Sequence, residues 1–289
     1  LPSLANHFSK SIVRTSSSVI FMLLFSSSLL TADDAIFPRE HHEWGRFPLG
    51  SWKKVRVVTE KVDAEGKVIS SSSNEVTTTV VAVHNSSVEL RVETVVEVAG
   101  KQFNKQPQIV TQGFEGEVNA EPEAGERMVK SDGKTEVVID GQKVESEVKT
   151  VTVRRNNCRW TSRTYYSQNI APYVLRREIS ARDPSGGQTQ YQTAVEGTAM
   201  DIPHEVSGVS RPTSHVRTTT TTPKGKTVTL EVRCEDVPGG FISHTSKVLD
   251  SQGRLIGRST LQLLEYHVPK QKPSQIMQRT WRWNSRWGR

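Results

Sequence analysis

The chain has 289 residues, a formal net charge of +7 and a hydrophobic content of 34%. Its excess positive charge lies at the two ends: residues 268–289 carry six Lys and Arg residues without an acid, and residues 1–32 carry two. Residues 33–267 are close to neutral with mixed signs, which excludes the basic surface that a nucleic-acid-binding domain presents.

Residues 1–32 have the pattern of a secretory signal peptide. Lys10 and Arg14 precede the apolar run VIFMLLF at 19–25, and small residues lead to an acidic segment after Ala32. The apolar run is shorter than the roughly 20 residues that cross a bilayer as a helix. We therefore predict cleavage after Ala32 and export to the periplasm or the cell surface, with no transmembrane segment in the mature chain.

From residue 51 onward the sequence alternates with a period of two. Between 88 and 98, Val, Leu and Thr hold the even positions and mainly charged residues hold the odd ones. Valine and threonine suit a pleated sheet, and the alternation predicts strands with one face on a core. The segment 227–235 has the same pattern, which predicts that these residues face inward: Val228, Leu230, Val232 and Cys234.

Tight turns separate these strands. DAEGK from residue 63, DPSGG from 183, TPKGK from 222 and DSQGR from 250 place Gly fourth, where the chain turns left-handed. DGK at 132, DGQ at 140 and VPGG at 237 are further predicted reversals. Hairpins in succession predict an all-β antiparallel meander of roughly a dozen strands.

Two hairpins have related sequences. TEKVDAEGKVIS, from Thr59, is similar to TSKVLDSQGRLIG, from Thr245, although common turn chemistry alone could produce this similarity. We predict two similar halves, 33–120 and 121–267, joined through the acidic stretch FEGEVNAEPEAGER at 114–127, followed by a basic tail at 268–289.

The two cysteines, Cys158 and Cys234, have no metal-site spacing. In an exported protein a disulfide between them is one prediction, and two unpaired thiols are the other. Export alone does not decide between these alternatives.

The sequence offers no convincing catalytic set. His41, His42 and Glu43 are adjacent, so on an extended chain neighbouring side chains point apart and rarely bind one ion. Glu115 and Glu117 share a face if extended, but nothing around them would tune a pKa. We predict a protein that is not an enzyme and has no metal site and no cofactor.

Two aromatic stretches are candidate ligand sites. EWGRFPLGSW at 43–52 and YYSQNIAPYVLRRE at 165–178 bring aromatic and polar side chains together. Exposed rings could stack on sugars or cap a groove, whereas buried rings would close the open end of a sheet. The candidate ligand-binding residues are Trp44, Phe47, Trp52, Tyr165, Tyr166 and Tyr173.

The stretch at 165–178, together with VPGGFISHTSKVLDSQGRLIGRSTLQLLEY at 237–266, resembles passages of uncharacterised exported β-rich bacterial envelope proteins. These proteins are distantly similar to the LolA/LppX-like periplasmic lipid carriers. The resemblance covers about a third of residues 33–267. It implies a strongly curved sheet or half-barrel whose concave apolar face holds a lipid or another hydrophobic ligand. Such carriers fill the concavity with helices, and this sequence predicts none.

The last ten residues, TWRWNSRWGR, combine tryptophan with arginine, which favours a membrane interface or an anionic glycan. A disordered tail without function is the alternative. The predicted membrane-contact residues are Trp281, Arg282, Trp283, Arg286 and Trp287.

Taken together, the sequence predicts an exported, non-enzymatic binding or carrier protein of the cell envelope, with an apolar concave sheet face for a lipid or another hydrophobic ligand. Its predicted partner is a lipid or an envelope glycan. A structural or surface-interaction protein without a small ligand is the alternative.

Overall fold

The structure is a computed structural model, and it describes residues 37–98, 100–114, 127–155, 158–182 and 189–270. The predicted signal peptide and the Trp/Arg-rich end of the tail lie outside these residues. The described part contains fourteen strands and one short 3-10 helix, Arg39–His41. The strands are β1 (Trp52–Val62), β2 (Val68–Val83), β3 (Ser87–Val98), β4 (Lys101–Asn104), β5 (Gln108–Gly113), β6 (Arg127–Ile139), β7 (Gln142–Arg155), β8 (Cys158–Tyr166), β9 (Val174–Arg182), β10 (Thr189–Val206), β11 (Val209–Thr222), β12 (Gly225–Arg233), β13 (Phe241–Asp250) and β14 (Leu255–His267).

All fourteen strands belong to one antiparallel sheet. Its order is β4-β3-β2-β1-β14-β13-β12-β11-β10-β9-β8-β7-β6, and β5 also pairs with β3. The chain therefore meanders, except that β1 pairs with β14 in the interior of the sheet. The predicted all-β antiparallel meander is confirmed. Both predicted halves contribute to this sheet, and their division remains a prediction because 115–126 lies outside the described residues.

Hairpin turns form at the Asp-x-x-Gly sequences. Asp63 Oδ1 accepts hydrogen bonds from backbone N–H groups two and four residues later, and Asp250 Oδ1 makes the same pair. Gly66 and Gly253 have φ of +81° and +80°, which glycine adopts without steric cost. TPKGK likewise joins β11 to β12, whereas the predicted turn from residue 183 lies outside the described residues.

The DGK sequence at 132 is not the predicted reversal. β6 runs through it, and its pairing with β7 shifts register between Ser131 and Gly133, where φ is +88°. This is a β-bulge, in which one extra residue is accommodated in one strand of a pair. The true reversal follows at Asp140 and Gly141, whose positive φ values suit a two-residue hairpin loop.

The sheet is strongly curved. The Phe37 N–H donates to the Phe114 carbonyl oxygen at 3.4 Å, and the Phe37 and Tyr166 ring centroids are 4.9 Å apart. Phe114 directly follows β5, and Tyr166 ends β8, which is ten strand spacings away in the sheet order. Those spacings would cover roughly 48 Å in a flat sheet. Because one phenylalanine contacts both strands, the sheet must curl around it, which confirms the predicted curved sheet or half-barrel.

Residues 37–51, here called the plug, lie inside this curl and cover one end of the concave face. Val88 and Leu90 of β3 are fully buried beneath Trp44 of the plug, as the alternation in β3 predicts. Backbone hydrogen bonds between Val80 and the end of the plug hold the plug against β2.

The prediction for β12 holds only at the end of the strand, where Val232 packs against a buried apolar cluster that includes Cys234. Along the rest of β12 the concave face carries the polar residues. Arg233 forms an ion pair with Glu43 of the plug at 3.8 Å. The odd-numbered residues of β12 therefore face the concave side. Thr229 shares that parity and is 8% exposed, whereas Leu230 is 55% exposed on the convex side. Alternation shows that the two faces differ, but it does not tell which face the bend turns inward. Of the four residues predicted to face inward, Cys234 is buried in the turn after β12.

Candidate functional site

The side chain of His42 holds the backbone of the plug in a tight turn. The His42 Nδ1 accepts hydrogen bonds from the backbone N–H groups of Trp44 and Gly45, at 3.2 and 2.9 Å. Burial, together with the charges of Arg46 and Arg177, lowers the pKa of His42 to about 3. The imidazole is therefore neutral at physiological pH and acts as an acceptor that orders the plug.

A second set of contacts fixes the plug to the end of β8. The His41 ring stacks on Tyr173, with centroids 4.1 Å apart and planes at 9°, and its Nδ1 forms a hydrogen bond with the Tyr166 hydroxyl. The Tyr173 hydroxyl donates to Glu235 at 3.1 Å, and Arg46 forms an ion pair with the same carboxylate. Tyr166 and Tyr173 thus hold the plug in place.

The concave side of β1 begins with a buried lysine. Lys53 is 7% exposed, and its Nζ lies 5.1 Å from the ring centroids of both Trp44 and Phe241. Burial lowers the pKa of Lys53 to about 8, while the Glu43 charge acts in the opposite direction. Aromatic faces attract a cation, so this lysine contributes to seating Trp44.

The six predicted ligand-binding residues separate into buried and outward-facing groups. Trp44 and Phe47 are buried, at 4% and 6% exposed. This agrees with the second alternative of the sequence analysis, in which buried aromatic rings close an end of the sheet. Trp52 is half-buried and, by alternation, lies on the face opposite Lys53. Tyr165 also lies on the convex face, between two guanidinium groups 5.4 Å from its ring centroid. The plug, rather than a ligand, accounts for the burial of Tyr166.

An open cleft of ≈ 540 Å³ lies beside the plug. Its charges are matched: Arg46 pairs with Glu235 at 3.3 Å, and Arg211 pairs with Asp236 at 2.6 Å. The charged side chains that line the cleft are therefore balanced in sign. Its residues are Arg46, Phe47, Pro48, Arg211, Glu235, Asp236, Tyr266, Val268 and Pro269.

The part of the concave face away from the plug, here called the open half, is lined with hydroxyl groups. Cross-strand pairing joins six neighbouring strands through one uninterrupted row: Ser72, Thr59, Ser259, Ser246, Thr229 and Thr218. Directly paired residues share a face of the sheet. Thr229 donates to Ser246 at 3.2 Å, and in the next row Thr193 and Thr220 form a hydrogen bond of 2.9 Å.

This row changes the predicted chemistry of the concavity. The apolar concave clusters that contain Trp44 and Phe37 lie under the plug. The hydroxyl row departs from the predicted apolar concave face, whereas the next concave row toward the plug is mixed and includes Val57, Leu261 and Val216. Serine and threonine fit these positions because both are compact, and threonine also suits a pleated strand.

Two aromatic residues border the open half, and the sequence analysis did not select them. Trp160 of β8 and Tyr191 of β10 are half-buried, and both pair with Ala181 of β9, which lies between them. Their ring centroids are 5.4 Å apart, with planes at 49°. Alternation along β8 was the sequence signal that could have selected Trp160. Trp160 is an even number of residues from Tyr166 and so lies on the same face of the strand, whereas Tyr165 lies on the opposite face.

The predicted disulfide is not formed. Cys158 and Cys234 are free thiols. Cys158 starts β8 and Cys234 directly follows β12, a strand parallel to β8, so the two thiols lie at opposite rims of the sheet. Four strand spacings, roughly 19 Å on a flat sheet, separate β8 from β12, whereas a disulfide needs Cα atoms within about 7 Å. Burial raises the pKa of the Cys234 thiol.

Within the ranges that the structure describes, no cluster of three His, Cys, Asp or Glu side chains could hold a metal ion. None of the described secondary structure is a helix with the length and apolar character needed to cross a bilayer. The predicted membrane-contact residues, 281–287, lie outside the described part of the chain.

No protein-family model and no curated protein matches the chain. Among solved structures, it is similar to a candidate exported protein with a YmcC-like fold from Bacteroides fragilis, with 10% identity, 76% and 99% of the two chains covered, and a TM-score of 0.28. A DUF1329 family protein from Desulfovibrio piger has 7% identity, coverage of 78% and 88%, and a TM-score of 0.32. A candidate lipoprotein from Parabacteroides distasonis has 12% identity, coverage of 76% and 97%, and a TM-score of 0.27. These TM-scores are too low for the structures to inform the function of this chain.

Proposed function

We propose that the chain is an exported, non-enzymatic binding protein of the cell envelope that holds an envelope glycan on the open half of its concave face. Export is supported by the signal-peptide pattern of residues 1–32. The glycan is supported by one observation above all, the row of six hydroxyl side chains that crosses the curled sheet.

Hydroxyl groups both donate and accept hydrogen bonds, as the hydroxyl groups of a sugar do. A glycan can therefore replace the water on Ser72, Thr59 and Ser259, which are half-buried rather than sealed. An acyl chain would remove that water without replacing its hydrogen bonds, at a cost of about 1–3 kcal/mol for each unsatisfied group. This difference favours a glycan over the lipid that the sequence resemblance implies.

Trp160 and Tyr191 supply the second element of such a site. An aromatic face offers an apolar surface for the C–H side of a sugar ring, while the indole N–H and phenol O–H remain able to form hydrogen bonds. Their place beside the hydroxyl rows allows a single chain to contact both kinds of group. Trp160 and Tyr191 are thus the proposed stacking residues.

Replacing Trp160 with alanine tests the proposal. We expect about a tenfold weaker affinity for a bound envelope glycan, equivalent to about 1.4 kcal/mol, because a stacking face is lost. The probes are soluble peptidoglycan fragments and lipopolysaccharide core oligosaccharide, measured by calorimetry, with a fluorescent fatty acid as the lipid probe. Trp52→Ala is the matched control, since Trp52 is a half-buried tryptophan on the convex face.

Binding of the fatty acid alone, or an equal loss of glycan affinity in both variants, would contradict this function. A structural or surface-interaction role is the second candidate, supported by exposed apolar side chains on the edge strands. These are Phe103, Ile109, Met128 and Val138, each 56–62% exposed. Self-association together with no binding to any of these probes would favour that role.

A further inference from the structure

We infer that the glycan of the open half is N-acetylated, and that the concave residues next to the hydroxyl row receive its acetamido group; this inference rests on the proposed function. Cross-strand pairing aligns these residues, here called the second row, across four strands: Asn74, Val57, Leu261 and His244. Each lies two residues along its strand from a member of the hydroxyl row, on the plug side. Residues two apart in a strand share a face, so the second row also faces the concavity.

The second row combines polar and aliphatic side chains, as an acetamido group does. Asn74 and His244 flank the aliphatic pair Val57 and Leu261, and both polar side chains can donate and accept hydrogen bonds. An acetamido group likewise joins an amide, with one N–H and one C=O, to an apolar methyl group. A hydroxyl group in its place would bring no methyl group to the aliphatic pair, which would then stay in water.

The second row is accessible from the concavity and close to the hydroxyl row. Its four side chains are half-buried, as is Ser259 beside them. Positions two residues apart on one face of a strand are about 7 Å apart, a distance that one sugar ring with its substituents spans. A single sugar can therefore place ring hydroxyl groups on Ser259 and its acetamido group on Leu261 and His244.

The chemistry of the His244 ring suits this group. Burial lowers the pKa of His244, although the Glu231 charge acts in the opposite direction, so at pH 7 the ring is neutral and carries one donor and one acceptor. Within the part of the chain that the structure describes, the ring makes no hydrogen bond. The neighbouring Glu231 accepts two hydrogen bonds from Arg233, at 3.0 and 2.9 Å. His244 can therefore bond the N–H or the C=O of an acetamido group.

Two oligosaccharides that differ only in this group test the inference by calorimetry. Chitotetraose carries an acetamido group on every sugar, and cellotetraose has the same linkage with a hydroxyl group in each of those places. We expect chitotetraose to bind at least about tenfold more tightly. His244→Ala removes the hydrogen bond and Leu261→Ser removes the apolar contact, so each should reduce this preference about threefold or more.

His244→Gln should keep the preference, because glutamine also has a donor and an acceptor. His215→Ala is the matched control, since His215 of β11 is a half-buried histidine on the opposite face of the sheet. Its replacement should change neither affinity. A damaged fold would weaken the binding of both tetramers alike, so the ratio of the two affinities reports on the acetamido contact itself.

Equal affinity for the two tetramers, or a preference that His244→Ala and Leu261→Ser both leave unchanged, would overturn the inference while leaving the glycan-binding function standing. If neither tetramer binds, the inference fails, and the proposed function fails with it only if the glycan probes of the Trp160 experiment do not bind either. Peptidoglycan fragments carry the same acetamido group. Where chitotetraose is preferred, tighter binding of these fragments assigns the group to peptidoglycan, and weaker binding assigns it to another N-acetylated glycan.

Discussion

Replacing Gly239 with alanine is expected to lower the free energy of unfolding by about 2–5 kcal/mol. Gly239 has a φ of +72°, and a Cβ atom there would lie 2.5 Å from the indole carbons of Trp44 and 2.7 Å from the Lys53 Nζ. The indole is buried against Val88 and Leu90 of β3, so it has no space to move away from an added Cβ atom. The loss of stability combines backbone strain at Gly239 with disrupted packing of Trp44. Chemical denaturation measures this loss.

Gly253→Ala is the control for this experiment. Gly253 has nearly the same backbone conformation, with φ of +80°, but no atom lies within 4 Å of the position of an added Cβ. Its replacement should cost only the backbone strain, about 1–2 kcal/mol. If both variants lose the same stability, Trp44 is not packed against the turn at 237–240, and the description of the plug is incorrect.

Lowering the pH should destabilise the protein through His42. Its pKa is lowered by burial from 6.5 to about 3, because both its environment and its role as a hydrogen-bond acceptor require the neutral ring. Between these pH values the unfolded chain binds a proton that the folded protein excludes. The free energy of unfolding therefore falls as pH drops below about 6.5, by on the order of 4 kcal/mol at pH 3 from this group alone.

The variant His42→Asn isolates this contribution. Asparagine keeps a side-chain oxygen that can accept hydrogen bonds from nearby backbone N–H groups, but it does not titrate. Denaturation curves from pH 7 to pH 3 should show a shallower loss of stability in the variant. His244, whose pKa burial also lowers, is present in both proteins and cancels in the difference. Parallel pH profiles would contradict the lowered pKa of His42, because a group that titrates alike in the folded and unfolded states adds no pH dependence to stability.

The strand period was readable from single segments, but the side that each strand turns inward was not. In β3 the apolar residues Val88 and Leu90 lie on the same face of the strand. They are buried because the plug covers that end of the sheet. In β12 the apolar parity includes Leu230 and faces outward. A single-layer sheet leaves most of both faces near solvent, so an apolar face is not driven inward with the strength that a two-layer core provides.

The candidate site was only partly predictable for the same reason. The aromatic residues were conspicuous in the sequence, yet Trp44 and Phe47 proved to be packing groups of the plug. Trp160 lies alone among polar residues, and its partner Tyr191 is more than thirty residues away in the sequence. Their proximity exists because β8 and β10 both pair with β9, which no local pattern indicates.

The sequence by itself determined the strands and the positions of most hairpin turns, because alternation, β-branched residues and Asp-x-x-Gly turns act between near neighbours. It also supplied the signal-peptide pattern on which the proposal of export depends. Only the tertiary structure decided the curl that brings Phe37 to both Phe114 and Tyr166, the face that each strand presents to the concavity, and the separation of the two cysteines. These features depend on pairings between distant strands and on how the plug lies across them, and neither is encoded in the spacing of residues along one strand.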